Sequence, residues 1–374
     1  MNMLNLNKPS ISIFNDQHLF SGTTTHIFNL YENLINHNIA SNLYQFLIDN
    51  RNILLPKEAI IKKGLLFNLP VYKHSFYNLK LAVNFMSGYN WKSYKNIHSK
   101  ISILSGPTLL PLTKFHTNTI VVGHDLFFRE NKSGSRILGS YMRNMYNGFN
   151  KANHIIVNSE YTKMDFINKL KVDKDKISVV YPFVDSSIFH PGPSNARKTL
   201  NIRDTDIILL SVGGDNPNKN VETTFKLLSK LPDNYKLIRV GRNFYTTKLI
   251  ETLNIKKRVI LLGNIETNSL AQIYRISNFL IFPSLFEGFG IPLVEAMASG
   301  VPAIVSNRTS LPEVVAEAGI ICEPYDINCM LDSIIKFTDD TQYNRIREKS
   351  MIRATHFSAE EQFISLQQVL SQFE

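Results

Sequence analysis

Short apolar runs alternate with segments of helical spacing along most of this 374-residue chain. In the second half, such runs cover Ile207–Val212, Val259–Leu262 and Phe279–Phe282. Continuous apolar runs of this length are typical of strands buried on both faces, and helices between them are typical of connections between parallel strands. The alternation therefore predicts an α/β fold with parallel, doubly wound sheets.

One proline-rich interruption divides the alternation into two halves. It covers residues 183–201, so we expect an N-terminal domain at 1–188 and a C-terminal domain at 189–357. The last segment, 358–374, has helical spacing, and we expect it to pack back on the N-terminal domain. Two doubly wound domains joined by one linker predict a cleft between facing strand ends, and such clefts are common ligand sites.

Positive charge is concentrated in the N-terminal half of the chain. Residues 1–190 contain 21 Lys and Arg against 11 Asp and Glu, and residues 191–374 contain 20 of each. A basic surface attracts anionic membranes and phosphorylated acceptors, but it also serves solubility, and the count leaves both interpretations open. Because no nucleic-acid-binding module is recognisable, a membrane or lipid-phosphate acceptor ranks above nucleic acid.

The sequence contains no pattern typical of a membrane span, a secretory signal or a metal-binding cysteine cluster. No apolar run approaches the roughly 18 residues of a spanning helix, and the first ten residues are mostly polar. We therefore expect a cytoplasmic protein, with a peripheral site at the cytoplasmic face of a membrane as the further expectation. Cys322 and Cys329 have no partners at zinc-like spacing, so we expect two reduced, structural cysteines and no metal site.

Residues 282–302 combine two carboxylates with a glycine-rich turn between a strand and a helix. Glu287 and Glu295 flank Gly288 and Gly290. Glycines let a ligand approach the backbone closely, and a carboxylate can accept hydrogen bonds from two neighbouring sugar hydroxyls. Taken singly, Glu295 could merely complement the helix N-terminus and Glu287 could be solvated. The combination favours a hydroxylated ligand that carries an anion.

Two cations follow other strands of the C-terminal half. Lys219 comes after Gly213 and begins a helical segment, and Arg242 comes after Gly241. An ammonium or guanidinium beside backbone N–H groups suits a diphosphate, although surface lysines and arginines are common. We expect any diphosphate here to be held by such cations and by helix dipoles rather than by a metal ion.

Two positions in the N-terminal half are weaker candidates. His124 follows an apolar strand, where it could bind a sugar or transfer a proton, or could be an ordinary loop histidine. Gly22 lies between a predicted strand and a predicted helix, a generic arrangement for phosphate binding. Neither position decides a function by itself.

The stretch 284–307, S-L-F-E-G-F-G-I-P-L-V-E-A-M-A-S-G-V-P-A-I-V-S-N, closely resembles the donor-site signature of the retaining glycosyltransferases of family 4, the glycosyl transferases group 1. Shorter resemblances occur elsewhere in the chain, while residues 1–118 are covered only faintly. The shorter resemblances are H-D-L at 124–126, N-S-E-Y-T at 158–162, V-V-Y-P-F-V-D at 179–185, S-V-G-G-D-N-P-N-K-N-V at 211–221 and S-L-P-E-V at 310–314.

The resemblance implies a GT-B fold, in which two Rossmann-like domains face a central cleft. It further implies metal-independent transfer of a hexose, with retention of anomeric configuration and no cofactor. The donor would be a nucleotide-diphosphate sugar, GDP-mannose or a UDP-hexose, bound mainly by the C-terminal domain. The acceptor would be a glycan, a glycolipid or a lipid-linked molecule bound by the N-terminal domain.

The resemblance also implies roles for individual residues. Glu295 would bind the ribose hydroxyls, Glu287 would lie near the sugar, and Lys219 would meet the diphosphate. His124 would contact the transferred sugar. The remaining expected donor contacts come from backbone positions, namely Gly288, Phe289, Gly290 and Ile291 at the sugar, and Gly22 and Gly213 at the phosphates.

Two departures from the family pattern concern the diphosphate. The family commonly has an arginine shortly before the lysine, but Gly214, Asp215 and Asn216 occupy that region here. The N-terminal loop has one glycine where a pair is usual. Arg242 is our hypothesis for a substitute. The alternatives are a non-catalytic GT-B subunit that binds a partner transferase, or another GT-B enzyme such as a phosphorylase or a sugar-nucleotide epimerase.

Overall fold

The computed structural model describes residues 11–15, 22–39, 41–45, 99–127, 136–242, 246–337 and 339–373. The chain forms two compact units. Unit 1 comprises Met1–Pro182 with Gln362–Glu374, and unit 2 comprises Phe183–Glu361. Each unit contains one six-stranded parallel sheet, so the predicted α/β fold with doubly wound parallel sheets is confirmed.

The sheet of unit 1 has the strand order β2-β1-β3-β4-β5-β6. The order reverses between β1 and β3, which makes that pair the topological switch point of the sheet. Neighbouring residues of β3 point to opposite faces, since Ile103 and Leu104 belong to different core clusters. The strands are β1 (Ile11–Asn15), β2 (Ser41–Gln45), β3 (Ile101–Leu104), β4 (Thr119–Gly123), β5 (His154–Val157) and β6 (Ile177–Val179).

Helices cover both faces of this sheet. Ser159 caps the helix Glu160–Leu170, since its hydroxyl accepts a hydrogen bond from the Thr162 N–H at 3.0 Å. The last helix of the chain contributes Leu366 and Val369 to a core cluster that also contains Ile11 of β1. The α-helices described in unit 1 are Gly22–Asn36, Arg136–Asn147 and Glu160–Leu170, together with Ala359–Leu370, which begins three residues before the return of the chain to this unit.

The sheet of unit 2 has the order β12-β11-β10-β7-β8-β9, with its switch point between β10 and β7. Strands β7, β9 and β10 have the bounds that the apolar runs predicted. Strand β12 was not predicted, because it is only three residues long. The strands are β7 (Ile207–Val212), β8 (Tyr235–Val240), β9 (Val259–Leu262), β10 (Phe279–Phe282), β11 (Ala303–Ser306) and β12 (Ile320–Cys322).

The α-helices of unit 2 connect these strands, and the last of them follow β12. The short helix after β10 begins directly after the glycine-rich turn, with Pro292 in its first turn. The helices are Ala196–Thr199, Val221–Lys230, Thr247–Thr252, Thr267–Ile276, Ile291–Ala298, Leu311–Val315, Ile327–Lys336 and Asp340–Ala354.

The prediction of two reduced cysteines was wrong. Cys322 at the end of β12 and Cys329 in the first turn of the next helix form a disulfide, with their Cα atoms 5.9 Å apart. A disulfide requires about this Cα separation. The turn between β12 and the helix brings the two residues together, and sequence spacing alone does not reveal such a turn.

None of the helices in the described ranges is both long enough and apolar enough to cross a bilayer.

Candidate active site

The loops that leave β7 and β10 meet at the switch point of unit 2. Parallel α/β sheets bind ligands outside the carboxyl ends of their strands at such a point. Leu285 N–H donates to Asn218 O at 2.7 Å, and Asn218 Nδ2 donates to Phe286 O at 3.2 Å. These bonds hold the two loops side by side around a small cavity that Lys219 and Ser284 help to line.

Asn220 connects the same loops to a third segment. Its Nδ2 donates to Pro283 O at 3.1 Å and to Pro324 O at 2.8 Å. Its φ of 48° lies in the left-handed region, which asparagine tolerates better than most residues. The asparagine therefore fixes the backbone next to Lys219 from two sides.

Lys219, predicted at the diphosphate, and Glu287, predicted near the sugar, contact each other directly. Lys219 Nζ lies 2.6 Å and 2.8 Å from the two carboxylate oxygens of Glu287. Their side chains are 24% and 11% exposed, so a ligand that enters the cavity can reach the pair. The ammonium also lies 5.6 Å from the centroid of the Phe282 ring, within the range of a cation–π interaction.

The turn after Glu287 is held by two residues that follow β11. Thr309 Oγ1 accepts a bond from the Glu287 N–H at 3.0 Å. The fully buried Ser310 hydroxyl donates toward Glu287 O at 3.0 Å and toward Phe289 O at 3.2 Å. The turn is thus fixed before any ligand binds. Ser310 belongs to the motif at 310–314, but the sequence predicted no role for it.

Gly290 ends the turn in a conformation that disfavours side chains. Its φ is 101°, and a Cβ atom there would lie 3.2 Å from the side chains of Leu293 and Leu311. Phe289 is buried, with its ring against Phe357, and Ile291 is half-buried at the start of the helix. This packing orients the backbone groups that were predicted to contact a sugar.

Glu295 has a buried tyrosine as its partner. Tyr274 Oη donates to Glu295 Oε2 at 2.8 Å and lies 3.2 Å from Pro292 O. Burial raises the pKa of Glu295 to about 7, and the bond from Tyr274 opposes that rise. Burial and the neighbouring carboxylate raise the pKa of Tyr274 well above its usual value, so it stays a donor. Tyr274 was missed because in sequence it resembles any core aromatic.

His124 follows the carboxyl end of β4, the strand next to the switch-point strand β3 in unit 1. Its Nε2–H donates to Ser105 O at 3.1 Å, which leaves Nδ1 of the neutral ring as an acceptor. The ring of His26, from the helix Gly22–Asn36, packs edge-on at 5.7 Å and is 1% exposed. Burial lowers the pKa of His124 to about 4 and also depresses that of His26. Both imidazoles are therefore neutral at pH 7.

The remaining predicted positions are distributed over both units. Gly213, with a φ of 129°, lies in the loop after β7, close to Lys219. Arg242 is exposed just after β8. Gly22 begins the first described helix of unit 1, and the residues just before it lie outside the described ranges. That His124 and Gly22 face the unit 2 site across a cleft stays a prediction.

No cluster of three or more His, Cys, Asp or Glu side chains suited to a metal ion occurs among the residues that the structure describes.

Two family models match the chain, one in each half. The model described as Glycosyltransferase Family 4 matches residues 20–188, and the model described as Glycosyl transferases group 1 matches residues 194–354. The chain belongs to the group 1 glycosyltransferases. The family suggested by residues 284–307 is thereby confirmed.

Curated relatives of this chain include two O-antigen chain mannosyltransferases. The O-antigen chain mannosyltransferase RfbU of Salmonella typhimurium is 30% identical over 239 residues, which cover 61% of this chain and 64% of the relative. The O-antigen chain mannosyltransferase B of Escherichia coli is 26% identical over 229 residues, covering 58% and 60%. The chain thus spans somewhat under two thirds of each of these relatives.

Solved structures resemble this chain over nearly its whole length. Sucrose-phosphate synthase from Thermosynechococcus elongatus has a TM-score of 0.80 at 20% identity, covering 97% of this chain and 98% of that one. Anabaena HepE, solved with UDP and glucose, has a TM-score of 0.72 at 17% identity, covering 97% and 99%. At these identities the likeness establishes the fold, a two-domain α/β fold of the GT-B type.

Proposed function

We propose that this glycosyltransferase moves a hexose from a nucleotide-diphosphate sugar to a glycan, glycolipid or lipid-linked acceptor. The donor is GDP-mannose or a UDP-hexose, transfer retains the anomeric configuration, and no metal or other cofactor takes part. The observation that carries the proposal is the contact of Lys219 with Glu287 beneath a preformed glycine turn, with Glu295 in the following helix. The mannosyltransferase relatives and the UDP complex of HepE support this class of donor.

The Lys219–Glu287 pair suits a site that exchanges one anion for another. A diphosphate that approaches Lys219 competes with the Glu287 carboxylate for the ammonium. Once released, the carboxylate can accept hydrogen bonds from sugar hydroxyls. The ammonium then stabilises the charge that develops on the departing diphosphate, and such electrostatic stabilisation is usually the largest catalytic contribution.

Glu295 suits the two hydroxyls of a ribose. With a pKa of about 7, its carboxyl is about half protonated at neutral pH. Two hydroxyl donors stabilise the ionised form, so ligand binding shifts this equilibrium toward the carboxylate. Tyr274 keeps one carboxylate oxygen in place and leaves the other to the ligand.

The chemical step that we propose is the one that the family resemblance implies. The bond from the anomeric carbon to the diphosphate oxygen breaks while the acceptor oxygen bonds to the same carbon from the same face. The acceptor's proton passes to the departing phosphate oxygen. His124, neutral and with a free acceptor capacity at Nδ1, contributes an uncharged hydrogen bond to the sugar. We place the acceptor on unit 1, whose excess of Lys and Arg suits a lipid-phosphate acceptor at the cytoplasmic face of a membrane.

The decisive experiment is a thermal-shift panel with UDP-, GDP- and ADP-sugars, because a donor that binds only the native state must raise its melting temperature. The donor that gives the largest shift is then incubated with the protein, and hydrolysis or transfer of the hexose is measured with and without chelator. A protein that binds the donor but turns over none, and that copurifies with another transferase, is a non-catalytic subunit. Turnover that requires inorganic phosphate identifies a phosphorylase, and interconversion of the donor identifies an epimerase.

A further inference from the structure

Arg239 is a fully buried cation in the wall of the unit 2 cavity. It lies in β8, directly opposite Ser211 of β7, and is 1% exposed. Nη1 donates to Ser211 O at 3.3 Å and to Val240 O at 2.8 Å, and Nη2 donates to Gly214 O at 2.6 Å. The guanidinium thus fastens the end of β7 and the turn that follows it.

These partners are carbonyls, so they leave the positive charge without a bonded counter-ion in the described residues. Nε is buried and has no hydrogen-bond partner there. Burial lowers the pKa of Arg239 to about 10, which Asp215 opposes through its field, and the group is still charged at pH 7. A buried charge is costly unless it is paired, and arginines are almost never fully buried alone. The arrangement therefore favours an anion nearby.

The cavity that Arg239 lines is the one that contains Lys219. Glu287 already neutralises the Lys219 ammonium. Arg239 is the second cation in the cavity wall. Among the described residues, no carboxylate bonds to it and offsets its charge. Its Nη2 reaches Gly214 O, in the turn where the family resemblance leads one to expect an arginine.

We propose that Arg239 supplies the guanidinium for the donor's diphosphate in this cavity, from a neighbouring strand instead of from the turn before Lys219. The proposal rests on the proposed function, since the diphosphate is the anion that the donor brings. Arg239 holds the turn through its carbonyl bonds and stabilises the phosphates through its charge and its remaining N–H donors. Arg242, exposed just after the same strand, is the competing candidate for this role.

Four variants separate charge from structure. Arg239→Met removes the charge and keeps an unbranched stem, and Arg239→Lys keeps the charge without the planar fork. Arg242→Ala tests the competing candidate at the end of the strand, and the control outside these four is Lys226→Met, a lysine that pairs with Glu222 on a helix surface. Gly214→Arg in the Arg239→Met background restores a guanidinium from the turn. A Cβ atom at Gly214 would have only Asn216 Nδ2 within 4 Å, at 3.9 Å, so the side chain has room.

Calorimetry compares pyrophosphate, UDP and GDP with uridine and guanosine, which lack the phosphates, on the full-length protein. Arg239→Met is expected to weaken pyrophosphate and diphosphate binding by about 10- to 100-fold, the range for a lost hydrogen bond to a charged group, while nucleoside affinity is unchanged. Lys226→Met is expected to match the wild type, and Arg242→Ala is expected to lose less diphosphate affinity than Arg239→Met. The double variant regains part of the diphosphate affinity.

Equal losses for nucleoside and diphosphate, or no loss for either, would show that Arg239 only supports the fold. If Arg239→Met does not fold, Arg239→Lys carries the test, with a smaller loss confined to pyrophosphate and the diphosphates. Selective loss in Arg242→Ala instead of Arg239→Met overturns the proposal as well. A wild-type protein that binds neither pyrophosphate nor any nucleoside diphosphate overturns the proposed function together with this inference. Diphosphate binding that is intact in both wild type and Arg239→Met overturns the inference alone.

Discussion

The two units carry the same kind of scaffold with different chemistry at its switch point. In unit 2, the loops at β7 and β10 present Lys219 and Glu287, both charged groups. In unit 1, His124 lies after β4, beside the switch-point pair of β1 and β3, and packs against His26; burial keeps both imidazoles neutral. The half of the chain with the excess of Lys and Arg thus has the uncharged pair, and the electrically balanced half has the charged one. Bulk charge and site charge are set independently.

The largest effect is expected from removing charge at the unit 2 site. Lys219→Met should lower kcat for hexose transfer by about 100- to 1,000-fold, because one electrostatic donor to the leaving group is lost. Lys226→Met removes another lysine of this unit, one that pairs with Glu222 on a helix surface, and should leave kcat unchanged. Steady-state kinetics with the donor from the thermal-shift panel measures both. An unchanged rate in Lys219→Met would break the contrast between the units.

The uncharged site of unit 1 should matter less and in a different way. His124→Ala should lower kcat by about 10- to 100-fold, because a sugar hydroxyl loses its partner. Since the pKa of His124 is lowered to about 4, the neutral ring persists as the pH falls through 6, and protonation sets in only toward pH 4. The rate should therefore show no inflection from this group between pH 6 and 8. An inflection near 6.5 that disappears in His124→Ala would contradict a pair of neutral imidazoles.

Glu295 gives unit 2 a pH dependence that unit 1 lacks. Its raised pKa of about 7 means that the carboxylate fraction falls from about nine tenths at pH 8 to about one tenth at pH 6. Nucleoside affinity should therefore fall about tenfold over that range, and Glu295→Gln should abolish the dependence. Glu323→Gln, at an exposed ion pair with Arg308, is the control. Calorimetry with uridine and guanosine at several pH values measures the nucleoside affinity. A wild-type affinity that does not change with pH would contradict the raised pKa.

The same shift affects folding in the opposite sense. Since the folded pKa of Glu295 exceeds the unfolded value of about 4.5, its contribution is most favourable below pH 4.5 and is lost as the pH rises through 7. For His124, whose folded pKa lies below the unfolded value, the contribution is lost as the pH falls from about 6.5 toward 4. Denaturant titrations of Glu295→Gln and His124→Phe against wild type should show these two slopes with opposite signs.

The smallest effect is expected at the support of the glycine turn. Ser310→Ala removes the hydroxyl that bonds Glu287 O and Phe289 O, which should raise KM for the donor about two- to fivefold with little change in kcat. Ser333→Ala removes a hydroxyl that bonds only Cys329 O within its own helix, and serves as the control. If Ser310→Ala and Ser333→Ala behave alike, the turn does not depend on this support.

Much of the scaffold could be predicted from sequence because a buried parallel strand is a local apolar run. Strands β7, β9 and β10 have the predicted bounds, and the motif 284–307 predicted the family correctly. Strand β3 was missed although all four of its residues are buried, and β12 was too short to recognise. Local patterns carry no information on which elements become neighbours.

The site residues that sequence missed depend on such neighbours. Tyr274 and Arg239 act on loops from other elements, and each has the local context of an ordinary helix or strand residue. The disulfide depends on the turn between Cys322 and Cys329. Arg242 lies exposed just after β8, and its role at the diphosphate stays a prediction. These side-chain contacts depend on tertiary packing, and the spacing of residues in the sequence does not reveal them.

The last helix gives the chain an unusual order of completion during synthesis. Leu366, Val369 and Leu370 belong to the same core cluster as Ile11 and Ile13 near the start of the chain. Domains generally fold in the order in which they leave the ribosome. Here unit 2 has its whole sequence available before unit 1 does, because unit 1 needs the final residues to fill its core. The first domain to be translated is therefore the last that can finish folding, and a chain truncated by its final turns would leave that domain's core exposed.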